Sequence, residues 1–200
     1  MEKSRQTPGE TRQRIMEAAM RLFVERGYFN TAIPDIVKES GISIGSIYHH
    51  FENKQDLAKA LYAETLSSFS AEMLRRTEKA QTQGEKLRLL VSFLYELCDA
   101  DPVRMEYMLF MRHTEIDPDH VPVCLSQPFR TVIHWLEEGI AQGEVISGNA
   151  EILAGIFMGG VLKVVELRLR GVLKTSLTEV KEEAFETAWR AVGVPAEATR

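Results

Sequence analysis

Cysteine is nearly missing from this chain of 200 residues, where Cys98 and Cys124 are the only two. They are too few and too far apart in sequence for a disulfide framework. No stretch approaches the ~18 consecutive apolar residues of a membrane span. No apolar run follows the basic start, so no secretory signal is read there. These absences imply a cytoplasmic chain without a membrane partner. Alternating strand patterns, internal repeats and low-complexity tracts are absent too. So are a nucleophile elbow, a phosphate loop and a dinucleotide fingerprint, which excludes the common enzyme classes; no catalytic residue and no cofactor is expected. His113, Asp117, Asp119 and His120 cluster, yet lack the spacing of helical metal ligands and the glycine of a calcium loop. His49 and His50 are adjacent and diverge by about 100° on a helix, so they do not share an ion. No metal is expected. Cys98, in a leucine-rich segment, reads as an inert buried thiol.

What the chain has is helix, punctuated by caps. Thr7-Pro8-Gly9-Glu10 sets a capping threonine, a first-turn proline and a returning glutamate ahead of a helix ending at Gly27. Its Ile15, Ala18, Ala19, Leu22 and Phe23 form one stripe. Asn53 with Asp56 opens a long helix to the late seventies, and Thr82 with Glu85 another to about Ala100. Asp101-Pro102 begins a third, and Thr114 to Val123 reads as loop. Further helices are expected from Ser126 to Gln142, from Asn149 to Arg170, and from a capping box at Ser176 and Glu179 to Gly193. The sum is an all-α fold of about nine helices. An N-terminal domain, 1–53, is expected from the first three, and a helical body from 54–200.

The segment TAIPDIVKESGISIGSIYHHFENK, from Thr31 to Lys54, carries the chemistry. Ile33, Ile36 and Val37 make one apolar face. Gly41 supplies a residue able to take positive φ at that helix end, and Ser43 can cap the next helix. Ile47 and Phe51 line its inner face. Ile44, Gly45, Ser46, Tyr48 and His49 are left outside, with little bulk near the start. Glycine and serine there weaken the helix, and close approach to a duplex groove would offset that loss. This is a helix-turn-helix pattern.

From TRQRIMEAAMRLFVERGYFNT through DIVKESGISIGSIYHHFENKQDLAKALY, the chain resembles the DNA-binding head of the tetracycline-repressor-like (TetR) family of bacterial transcription regulators. The likeness covers roughly the first third without a gap; the rest follows the family only in general plan, as in GIAQGEV. It implies a ligand-binding, dimerising body behind the head and a palindromic double-stranded DNA operator. The expected DNA-binding residues are Thr31, as a helix cap touching backbone, with Ser43, Ile44, Gly45, Ser46, Tyr48, His49 and Lys54. Ile44 stands where the family often reads sequence, and being apolar it offers contact only to a thymine methyl. Lys54 is expected at a phosphate. Ala32 and Pro34 depart from the family's polar pattern and remove possible phosphate contacts. His50 either contacts DNA or packs under the head.

Charge agrees once it is divided. The net charge of −5 separates into eight Lys or Arg against seven Asp or Glu in Met1 to Lys54, a net of +1, and −6 over the remainder. Lys3, Arg5, Arg12 and Arg14 crowd the start, where a flexible arm would reach phosphates.

In the body, methionines and aromatics suit an adaptable cavity for a small, largely apolar effector. Phe93, Leu97, Met105, Met108, Leu109, Arg112, His113, Phe129 and Ile133 are the candidate lining, though helical spacing alone also allows ordinary core. Tyr107 and His134 are further candidates for a polar end. The helix after Asn149 is apolar nearly all round, so a second side must be covered. A homodimer interface is expected from Ile152, Ile156, Gly160, Val164, Leu167, Ala184, Ala188 and Trp189; the alternative is the core of a monomer. The functional expectation is an effector-released regulator, most simply a repressor. An architectural DNA-binding dimer or an activator of the same fold are the alternatives.

Overall fold

The computed structural model describes residues 7–117 and 125–195. Among them the fold is all-α, with nine helices of seven residues or more and one single turn. In chain order they are α1 (Pro8–Arg26), α2 (Ile33–Ser40), α3 (Ile44–His50), α4 (Lys54–Thr77), α5 (Gln83–Ala100), α6 (Pro102–Phe110), α7 (His113–Ile116), α8 (Gln127–Gln142), α9 (Ala150–Leu169) and α10 (Leu177–Trp189). The described residues beyond helices include one isolated antiparallel bridge, Val145 with Gly193.

Most boundaries follow the caps. Thr7 Oγ1 accepts from Glu10 N while Glu10 Oε2 accepts from Thr7 N, a reciprocal box. Thr82 and Glu85 repeat it at α5, and Asn149 Oδ1 accepts from Ile152 N. Three expectations need correction. The loop expected from Thr114 begins with the single turn α7; residues 118–124, among them Asp119, His120 and Cys124, lie outside the described ones. Ser176 does not cap α10 with its own oxygen, because its hydroxyl donates to Asp99 Oδ2, which also accepts from Thr178 N. The cap is therefore lent by α5. And α10 stops at Trp189 instead of Gly193, because residues 191–195 turn back, with Val194 N donating to Glu144 O.

The expected 53/54 boundary marks the start of α4, but packing divides the chain elsewhere. Met1–Ser67 with Val103–Pro122 forms one compact unit, and Ser68–Pro102 with Val123–Arg200 the other. In the first, Ile15, Ala19, Phe23, Ile36, Ile47 and Leu57 form a core that also takes in Tyr107 and Ile116. Tyr107 is sealed there, its hydroxyl donating to Ala58 O at 3.2 Å; burial pushes its ionisation well above the ordinary tyrosine range. In the second unit Leu87, Leu94, Leu136, Phe157, Val165 and Phe185 are buried. Tyr95 donates to Val161 O from this core at 3.3 Å. Cys98 is buried beside it, its thiol pushed up to about 11 by burial first and by Asp99 next.

Candidate nucleic-acid interface

Helix α3 is only seven residues long, so its ends decide its position. Gly41 closes α2 at φ 68°, the left-handed conformation in which a side chain would be strained. Ser43 then caps α3, its Oγ accepting from Ser46 N at 3.3 Å. Ile47 at 0% exposure and Phe51 at 3% pin the helix to the core. The opposite side is open: Ile44 is 49% and Tyr48 51% exposed. Ser43, Gly45 and His49 are exposed as well, and Ser46 and His50 half-buried.

Gly45 is instructive. A Cβ built on it would meet nothing within 4 Å, so its own chain gives no steric reason for glycine. Glycine in a helix costs about 1 kcal/mol relative to alanine.

Thr31 and Lys54 require correction. Thr31 is 1% exposed, and its hydroxyl donates inward, to Gly27 O at 2.9 Å and Leu22 O at 3.3 Å. The cap of α2 is Ala32, which has no side-chain acceptor; Asp35 Oδ2 accepts from its N–H. Thr31 therefore fastens the turn and does not present a hydroxyl to DNA. Lys54 Nζ donates to Tyr28 O at 2.8 Å and Thr31 O at 2.7 Å, and lies 4.1 Å from the centre of the Tyr28 ring. Desolvation lowers its pKa. Its ammonium latches the turn before α2 to the start of α4.

The expectation of a basic arm is corrected for Arg12 and Arg14 alone. Lys3 and Arg5 lie outside the described residues, while Arg12 and Arg14 belong to α1. Arg12 pairs with Glu64 and sits 5.2 Å over the Phe51 ring, and Arg14 donates to Ser40 O at 2.7 Å. Pro34 and Ala32 are exposed at the start of α2.

The candidate effector residues divide between the units. In the first, Met105 and Met108 are buried, Leu109 is half-buried, and Arg112 is exposed. His113 is 7% exposed, with Nε2 2.7 Å from Tyr107 O and its ring 4.1 Å from that of Tyr62. Asp117 pairs with Lys59 at 3.0 Å. In the second unit Phe93 stacks on Phe69 beneath the Arg76 guanidinium, and Leu97, Phe129 and Ile133 are half-buried. His134 is exposed next to Glu137 and Glu138.

The residues expected at a dimer face come together along α9 and α10. Ile152 is 63% and Ile156 52% exposed, Gly160 is exposed, and Val164, Leu167, Ala184 and Ala188 are half-buried. Ile156, Gly160, Val164, Val180, Ala184 and Ala188 line an apolar trough of about 540 Å³. A Cβ on Gly155, Gly159 or Gly160 would meet nothing within 4 Å. Trp189 differs from the rest, for its ring stacks on Phe185 and packs against Gly84 and Gly193 of its own chain. Much of its surface is thus already used.

No helix among the described residues is long and apolar enough to cross a membrane. None of them groups three or more His, Cys, Asp or Glu around a metal position.

Residues 15–61 match the model of the bacterial regulatory proteins, tetR family. The HTH-type transcriptional regulator AcrR of Shigella flexneri is 31% identical over 175 residues, covering 80% of each chain. The fatty acid metabolism regulator protein of Bacillus subtilis (strain 168) is 28% identical over 136 residues, 67% of this chain and 70% of that one. Among solved structures, the fatty acid degradation regulator FadR from Bacillus halodurans superposes with a TM-score of 0.79 at 22% identity, over 92% of this chain and 96% of that one. The FadR of Bacillus subtilis in complex with stearoyl-CoA gives a TM-score of 0.70 at 23% identity, over 88% and 96%. The matched span contains α2, α3 and the turn between them, and with the AcrR likeness over most of both chains it identifies this protein as a member of the tetR family of bacterial regulatory proteins, which are DNA-binding regulators and not enzymes.

Proposed function

We propose that this chain is an effector-released transcriptional repressor that binds a palindromic operator as a homodimer. The observation that carries the reading is the outer face of α3, where Ser43, Ile44, Gly45, Tyr48 and His49 are exposed on a helix whose glycine has no internal purpose. Ser43, Ser46 and Tyr48 carry hydroxyls suited to phosphate oxygens, which fix register. Ile44 offers a methyl-rich surface suited to thymine. Two such helices must meet successive major grooves ~34 Å apart, and a C2 dimer provides them. The exposed face of α9 and α10 is the surface we assign to the second copy, because its glycines allow close helix approach and its isoleucines lose water on pairing.

The effector we infer is small and largely apolar, with a long-chain acyl thioester the first compound to try. Support comes from the similarity to a fatty acid metabolism regulator and to a structure in complex with stearoyl-CoA. An effector acts only by favouring one of two states, and DNA must weaken its binding reciprocally.

Selection of bound duplexes from random DNA tests the first half. A palindrome is expected, with Ile44→Gln changing the preferred bases; an unchanged preference removes Ile44 from the readout. Titrating stearoyl-CoA into the protein–DNA complex tests the second half. Release at concentrations that leave Tyr48→Ala folded supports gating. Failure of every acyl thioester and aromatic compound tried would favour an architectural dimer.

A further inference from the structure

One carboxylate in the second compact unit gathers partners from two other helices. Asp99 stands in the last turn of α5, with 18% of its side chain exposed. Its Oδ1 accepts from Arg168 Nε at 3.2 Å. Its Oδ2 accepts from Ser176 Oγ at 2.6 Å, from Thr178 N at 2.9 Å and from Thr178 Oγ1 at 3.1 Å. An ionised carboxylate offers about four acceptor positions, so Asp99 is fully used, and charge-assisted bonds of this kind are the strong ones. Burial raises its pKa, but the bonds from Ser176, Thr178 and Arg168 outweigh that and hold it below the ordinary value. Arg168 lies at the end of α9, whereas Ser176 and Thr178 lie at the start of α10. Between them the chain turns at Gly171, φ 70°, with Val172 N and Leu173 N both donating to Leu167 O.

Starting α10 does not require this arrangement. Serine is itself a good N-cap, and Ser176 stands three residues ahead of Glu179, where its own oxygen would serve. The chain leaves that local cap unused and takes its acceptor from α5, 77 residues away in sequence. What the distant acceptor adds is position. Helices α9 and α10 are the two walls of the apolar trough, with Ile156, Gly160 and Val164 on one and Val180, Ala184 and Ala188 on the other. Asp99 is not among the lining residues, yet it holds one wall through Arg168 and the other through Thr178. We propose that Asp99 is a positioning residue for the homodimer, setting α9 against α10 at the spacing that the second copy fits. The proposal rests on the reading that the α9–α10 face receives that copy. Apolar walls gain from pairing only where they meet closely, since a gap of ~1 Å forfeits up to half of a dispersion contact. Glu96, one turn earlier on α5, provides the contrast. Its bonds go to Arg76 of α4, to Lys181 of α10 and to Ser92 of its own helix, so it holds one wall alone.

The test measures the dimer dissociation constant of the full chain by sedimentation over a dilution series, with circular dichroism following helix content. Asp99→Ala should raise that constant ~10-fold. Helix content should not change, because Ser176, released from Asp99, can cap α10 with its own hydroxyl. Asp99→Asn keeps an acceptor for Thr178 but loses the charge that holds Arg168. It should raise the constant ~3-fold, and it is the variant to read if Asp99→Ala does not fold. Glu96→Gln should stay within ~2-fold of wild type. A dimer as tight as wild type in Asp99→Ala, or in Asp99→Asn where that stands in for it, overturns the proposal. So does a Glu96→Gln chain weakened as much as Asp99→Ala. A loss of helix matching the thirteen residues of α10 would make Asp99 a remote cap and nothing more, and overturns it too. A wild-type chain that sediments as an isolated protomer at every concentration overturns the homodimer reading itself.

Discussion

Helices α3 and α9 both leave large apolar side chains and glycines uncovered, but they are built differently. α3 is seven residues long and mixes Ile44 and Tyr48 with hydroxyls and imidazoles. α9 is twenty residues long, and the middle of its open face holds Ile152, Ile156 and three glycines, with Glu151 and Lys163 towards its ends. A wet, charged groove demands hydrogen-bonding groups at intervals, whereas a copy of the same helix demands only close fit and loss of water. Two glycines outside these faces have an internal explanation. A Cβ on Gly193 would overlap the Trp189 indole, and one on Gly139 would stand 2.6 Å from Val145 Cγ2. The comparison separates glycines whose Cβ position is filled by the chain's own fold from glycines whose Cβ position stands open.

The strongest way to break that distinction is to charge the α9 face. Ile152→Lys with Ile156→Lys should leave the monomer folded, since both side chains are exposed, yet sedimentation should show an isolated protomer. Operator affinity should fall ~10²–10⁴-fold as the second half-site is lost. A dimer surviving both lysines would remove this face from the interface. Next in size is Gly193→Ala, which must displace a rigid ring in the second compact unit. It should lower stability by about 1–3 kcal/mol in denaturant unfolding. Gly45→Ala should do the reverse, raising stability by about 1 kcal/mol through helix propensity while weakening DNA binding. If it left binding intact, Gly45 would not mark a close approach. The smallest effect concerns Glu96, held down to about 2 by its bonds to Lys181 and Arg76, both in the second unit. A depressed carboxylate stabilises above its ordinary range near 4.5 and loses that contribution as pH falls through about 2. Wild type should therefore lose melting temperature on acidification between those values more steeply than Glu96→Gln.

The cap residues and the apolar stripes made most of the helices legible in the sequence, because both are local rules. Thr7, Thr82 and Asn149 act where their spacing to Glu10, Glu85 and Ile152 predicts. The failures came where a distant group competed. Asp99 takes the Ser176 hydroxyl, and carbonyls of the α1–α2 connection take the Lys54 ammonium. Thr31 looked like a cap because the residue type was right, but the helix begins one residue later and the hydroxyl turns inward. Nothing in the sequence reveals which of two acceptors an exposed-looking donor will meet.

By itself the sequence determined the helical class, the turn at Gly41, the inner pair Ile47 and Phe51, and the outer face of α3. Periodicity and single-residue backbone preference act over a few residues and need no partner. Tertiary structure decided the rest: which cations are already engaged, which tryptophan surface is used, and which glycines stand open. Those outcomes depend on distances between residues far apart in the chain, and side-chain hydrogen bonds go to whichever group folding brings within about 3 Å.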